Sequence, residues 1–121
     1  VQNLCHPLDP GPLRDGVARL CQERGVALLA YSPFGGLRRH AELAAHPLLS
    51  AIAAKHGATP YQVALAWLLC GSPVLIPLPS ARSPVHARDN SRAAALALDD
   101  QDLQALARSL PLIPPTPERA P

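Results

Sequence analysis

The 121-residue chain has no methionine, one tryptophan, one phenylalanine and two tyrosines. So few rings, none interleaved with the arginines, exclude a platform for stacking bases, and a formal net charge of +2 adds no electrostatic case for nucleic acid. No nucleic-acid partner is expected. No apolar run approaches the length of a bilayer span, and no basic segment followed by an apolar stretch opens the chain. The expectation is a soluble, cytoplasmic protein with no membrane partner. Cysteine is scarce and odd in number. Cys5, Cys21 and Cys70 are widely spaced and each lies in or beside an apolar element, which favours reduced core thiols over a disulfide framework or a zinc site. No metal is expected. With no methionine and Val1 already inside a strand candidate, the start is expected to be processed or truncated, or the residues part of something longer.

What is present is globular in texture: 48% hydrophobic against 17% charged residues, enough for one domain with a modest core. Strands and helices alternate. Val1 to Cys5 reads as a short strand, and Pro12 to Glu23 as a helix with Leu13, Val17, Leu20 and Cys21 at helical spacing, stopped by Gly25. The apolar run Val26 to Tyr31 has the look of a strand buried on both faces. A loop is expected from Ser32 to Ala45, then a helix from Pro47 to Lys55 ended by Gly57. Thr59-Pro60 gives an N-cap with proline at the first helical position, starting a strongly apolar helix to about Cys70 that carries Trp67 at core spacing. Val74 to Leu78 is the third strand. Helices follow from Pro84 to about Ala95 and from about Asp100 to Leu110, with Asp99 as the candidate cap of the last. Residues 1–110 thus form the expected folded unit, and the proline-rich stretch from Pro111 to Pro121 an extended or disordered tail.

Alternation of this kind predicts parallel strands joined by right-handed crossovers and covered by helices. Three such units are fewer than a closed barrel needs. The outer strands, at Val1 and Val74, would present unpaired N–H and C=O groups, so self-association through exposed sheet edges is expected. The most informative segment runs from Ile76 to Asn90. It sets a turn, two cationic side chains and a helix start directly after an apolar strand, the arrangement with which α/β proteins receive a phosphate-bearing ligand. Ser83-Pro84 reads as N-cap and first helical residue, and Arg82 adds positive charge beside them.

Four stretches, Val1 to Asn3, Ala30 to Gly36, Ala58 to Leu68 and Ile76 to Asn90, resemble successive landmarks of the aldo-keto reductases in order and spacing. The resemblance covers roughly residues 1 to 110. It implies a (β/α)8 TIM barrel that binds NADPH at its C-terminal mouth and passes hydride to the carbonyl carbon of an aldehyde or ketone. This chain would then be about three C-terminal βα units with an extra helix and a C-terminal helix. By the same resemblance Gln2, at the end of the first strand, matches the residue that hydrogen-bonds the nicotinamide carboxamide, and Tyr31 the aromatic stacked on the nicotinamide ring. Ser32, Phe34 and Gly36 match the loop around the pyrophosphate. Ser80, Ala81 and Arg82 match the positions that meet the adenosine 2′-phosphate, with His86 near it, and Asp89 and Asn90 the pair that grips the adenine. Arg82 supports NADPH over NADH.

The family's proton-donating Tyr, with its Lys, Asp and neighbouring His, belongs to the amino-terminal half of its barrel, which these residues do not match. Lys55 and Tyr61 stand on helices rather than at strand ends, so no catalytic residue is assigned. His6 reads as structural or substrate-lining. Arg38, Arg39 and His40 read as solvated charge, with gating over the cofactor as the minor alternative. A second reading of the whole is a non-catalytic nucleotide-binding or regulatory module that kept only the cofactor half of the fold.

Overall fold

Pro47, Pro60 and Pro84 each open a helix at the position where a missing backbone N–H costs nothing. In the computed structural model, which describes residues 1–109, those helices are α4 (Pro47–His56), α5 (Pro60–Gly71) and α6 (Pro84–Arg92). Before them come β1 (Gln2–Leu4), α1 (Gly11–Arg14), α2 (Val17–Arg24), β2 (Leu28–Tyr31) and α3 (Gly36–Ala44). β3 (Leu75–Leu78) separates α5 from α6. A 3₁₀ turn (Ala93–Ala95) and α7 (Asp100–Ser109) close the described chain. Leu110 and the expected tail from Pro111 to Pro121 lie outside the described residues.

Three of the expectations about helices change. The helix anticipated from Pro12 to Glu23 is broken between Arg14 and Val17, where Gly16 takes φ 93° and Asp15 accepts a hydrogen bond from the Val17 N–H at 2.9 Å. Leu20 consequently faces solvent. The loop expected from Ser32 to Ala45 holds a helix, α3, hidden from view by the Gly35-Gly36 pair that starts it. The helix from Pro84 tightens into the 3₁₀ turn after Arg92 rather than running regularly to Ala95.

The three strands form one parallel sheet in the order β1-β2-β3, with Leu4 opposite Tyr31 and Tyr31 opposite Leu78. One face packs under the helices, where Cys5, Leu28, Ala30 and Leu75 meet Val63, Trp67 and Leu68 of α5 and Leu49 and Ile52 of α4. Trp67 is core, as expected. The other face carries Leu4, Tyr31, Ile76 and Leu78, each 37–49% exposed. β2 is therefore not buried on both faces. Its run is apolar throughout because both sides need cover, and among the described residues only one side has it. β1 and β3 form the outer edges, as anticipated. Among the described residues no helix is long and apolar enough to cross a membrane.

Candidate functional site

Because Tyr31 and Leu78 stand side by side in register, the loops leaving the carboxyl ends of β2 and β3 also lie side by side. Between them opens a cleft of about 680 Å³, walled by Ser32, Pro33, Phe34, Gly36, Leu37, His40 and Ala41 from the first loop and α3, and by Leu78, Ser80, Arg82 and His86 from the second loop and α6. A crevice beyond the carboxyl ends of parallel strands is where α/β folds place ligands.

Local chemistry explains both walls. After β2 the chain turns on Ser32, whose carbonyl accepts from the Gly35 N–H at 2.9 Å and whose φ of 49° is a left-handed value unusual for serine. Gly35 follows at φ 91°, and a Cβ there would stand 2.7 Å from Cβ of Arg39, so only glycine lets α3 start so tightly. After β3, the Ser83 hydroxyl caps α6 by accepting from the His86 N–H at 3.2 Å. The Asn90 side chain donates to the Ser80 carbonyl at 3.4 Å and ties the loop back to the helix.

The cleft lining includes Arg82, His86 and His40 and no carboxylate, and among the described residues Arg82 makes no ion pair. Its electrostatic preference is for an anion. His40 is held in place: Nδ1 lies 3.0 Å from the Tyr61 hydroxyl, the two rings stack obliquely with centroids 4.6 Å apart, and Phe34 meets Tyr61 edge-on at 5.0 Å.

Of the residues singled out in the sequence, Ser32, Phe34, Gly36, Ser80, Arg82 and His86 meet in this cleft. Ala81 lies exposed between Ser80 and Arg82 but outside the lining. Asp89 and Asn90 lie on α6 and are engaged within the protein: the Asp89 carbonyl accepts from Gln62 at 2.9 Å, and the Asp89 carboxylate lies 3.5 Å from Arg92. Tyr31 points from the open sheet face. Gln2 begins β1 rather than ending it. It pairs with Leu29, so it shares the face of Tyr31 about 6 to 7 Å, two residues, further back along the strands. His40, expected as solvated charge with gating over the cofactor as the alternative, lines the cleft from α3, and Leu37 joins it there. Their i, i+3 spacing after Gly36 was the available signal.

Other polar groups are consumed by structure. Arg39 is not simply solvated: Nε and Nη2 donate to the two Glu42 carboxylate oxygens at 3.0 and 2.9 Å, and Nη1 to the Leu8 carbonyl at 3.2 Å. His6 is buried and its Nδ1 accepts from the Leu8 N–H, while burial pushes its pKa down, fixing it as a structural acceptor. Burial, with Asp9 and Asp15 nearby, raises the Cys5 thiol to about 12. Cys21 is buried too, whereas Cys70 is exposed, so the expectation of three core thiols fails at Cys70, which α5 turns outward. Lys55 donates to Asp99 at 2.5 Å and to Asp102 at 2.9 Å, and His56 Nε2 donates to Asp102 at 2.6 Å. Burial alone would raise the Asp102 carboxyl, but the hydrogen bonds from Lys55, His56 and the backbone outweigh it and hold the pKa at about 2.

The sequence matches the profile of the aldo/keto reductase family over residues 1–110. It is 36% identical over 108 residues to the pyridoxine 4-dehydrogenase of Escherichia coli K12, a match covering 86% of this chain and 33% of that protein. A solved thermostable aldo-keto reductase bound to the inhibitor epalrestat superposes with TM-score 0.73 at 36% identity, covering 87% of this chain and 37% of the other. An aldo-keto reductase from Klebsiella pneumoniae in complex with NADPH superposes with TM-score 0.83 at 28% identity, covering 93% and 39%. The chain thus spans about a third of the length of the relatives it matches. It belongs to the aldo/keto reductase family, and its parallel strands with their covering helices are part of a (β/α)8 barrel.

Proposed function

We propose that the protein takes part in NADP(H)-dependent reduction of aldehydes or ketones, and that this chain supplies the portion that grips the cofactor. The observation that carries the proposal is the cleft itself: a cationic, carboxylate-free crevice at the carboxyl ends of β2 and β3, of a size suited to a nucleotide. The donor set fits the group. Arg82 and Ser80 offer a guanidinium fork and a hydroxyl to a phosphate monoester, the 2′-phosphate that separates NADPH from NADH. Asn90 braces their loop through the Ser80 carbonyl, and Asp89 stands beside it on α6 at the adenine end. The turn from Ser32 to Gly36 brings backbone close to the pyrophosphate. Gly36 sits at φ 66°, a left-handed value that favours glycine, and puts no side chain on the wall where the ligand must approach.

The open face of the sheet continues the site. Tyr31 offers an aromatic face to the nicotinamide and Gln2 an amide to its carboxamide. Bound there, the cofactor supplies the hydride for the carbonyl carbon. The proton for the resulting alkoxide must come from a group outside this chain's matched motifs, so the chain alone should bind without turning over. Support for the nicotinamide class comes from relatives solved with NADPH.

Isothermal titration of the chain with NADPH tests this. Saturable binding is expected, with no loss of reduced nicotinamide when an aldehyde is added. Absence of saturable binding contradicts the proposal.

A further inference from the structure

We propose that His40 is an additional phosphate-binding residue of the cleft, and that Tyr61 is the positioning residue that orients it for that task. The inference rests on the reading of the cleft as a dinucleotide site and adds a residue that the family resemblance does not assign to it. Gly36, Leu37, His40 and Ala41 form the stripe of α3 that faces the cleft, and His40 is the only polar side chain on that stripe. It stands one turn along from Gly36, on the wall assigned to the pyrophosphate and across from Arg82.

Both ring nitrogens of a histidine are interchangeable until something takes one of them. Here Nδ1 lies 3.0 Å from the Tyr61 hydroxyl, and the Tyr61 ring stacks against the imidazole while Phe34 packs on Tyr61. In this proposal the phenol is the donor to Nδ1, which puts the proton of the neutral ring on Nε2. That N–H is the group left for a ligand in the cleft, and it donates to a phosphate oxygen. α5 anchors the arrangement, since Tyr61 follows Pro60 in a first turn locked by the reciprocal Thr59 and Gln62 capping bonds. The helix thus fixes the hydroxyl, the hydroxyl fixes the imidazole, and the imidazole presents one donor.

Titration calorimetry of the full chain with two probes, NADPH and adenosine 2′-monophosphate, separates this from a structural role. A donor to a charged oxygen contributes enough that His40→Ala should weaken NADPH roughly tenfold or more. Adenosine 2′-monophosphate, which lacks the pyrophosphate, should change less than about twofold, whereas Arg82→Ala weakens both probes. His40→Gln, which keeps an amide donor, should recover part of the loss. Tyr61→Phe, which keeps the ring but not the hydroxyl, should weaken NADPH a few-fold and leave adenosine 2′-monophosphate unchanged. Unaltered NADPH affinity in His40→Ala, alongside a loss in Arg82→Ala, overturns the role of His40 and leaves the cleft reading standing. Equal weakening of both probes in His40→Ala marks a structural residue and also overturns it. No saturable binding of either probe by the unaltered chain overturns the cleft reading and this inference together.

Discussion

Two groups of ionisable side chains lie on this small fold, and they are built in opposite ways. At the junction of α4 and α7, Lys55, His56, Asp99 and Asp102 satisfy one another: donors meet carboxylates at 2.5 to 2.9 Å, and Asp99 and Asp102 reciprocally accept each other's backbone N–H at the start of α7. In the cleft, Arg82, His86 and His40 stand together with no carboxylate among the lining residues. Both groups would look alike in a list of charged residues. The first spends its ion pairs and a helix cap on joining α4 to α7. The second is poised for an anion, and this difference, more than any single residue, separates scaffold from site.

Breaking the scaffold cluster should be the costlier operation. Asp102→Ala removes the buried carboxylate at its centre, strands His56, leaves Lys55 paired with Asp99 alone and deletes half of the helix cap, so unfolding in urea should show a loss of about 2–3 kcal/mol. Lys55 is 45% exposed and recovers water, which keeps the loss below that of a fully buried pair. Next comes Gly35→Ala, which forces a side chain into φ 91° and against Arg39. A loss of about 1–3 kcal/mol is expected, and with it a less regular α3 by circular dichroism.

The same cluster sets an acid limit. The Asp102 carboxyl is held at about 2 in the folded chain against an ordinary 3.8, so the unfolded chain binds more protons between those values. Its contribution is complete above about pH 4 and is lost as pH falls through 2. Unfolding midpoints measured across that range should drop more steeply for the unaltered chain than for Asp102→Asn. Equal slopes would remove Asp102 from the account. The smallest effect concerns the thiols. Cys70 should react with an aromatic disulfide reagent in the native state and Cys5 should not, and modification of Cys70 should leave stability nearly unchanged.

Much of this comparison was legible in the sequence because it rests on local rules. Thr59-Pro60 and Ser83-Pro84 announce helix starts through capping chemistry, and six of the residues marked by the family resemblance do converge in the cleft. Other features are not local. α3 hides in the sequence because two glycines in left-handed conformations look like a turn, and only the close approach of Arg39 reveals that the turn is a helix start. The apolar run of β2 states that cover is needed on both faces, not that it is present. The Lys55 cluster is invisible in the sequence because Asp99 and Asp102 are more than forty residues away along the chain, and no local pattern links α4 to α7. For the same reason no local pattern pairs His40 with Tyr61, 21 residues further on.

The central claim is that the cleft holds the phosphates of NADP(H), and the affinity ratio between NADPH and NADH, measured by calorimetry for the unaltered chain and for Arg82→Ala, tests it most directly. The account predicts a preference for NADPH of about tenfold or more that collapses toward unity when Arg82 is removed. Equal affinities for the two nucleotides, or a preference that survives Arg82→Ala, would contradict it.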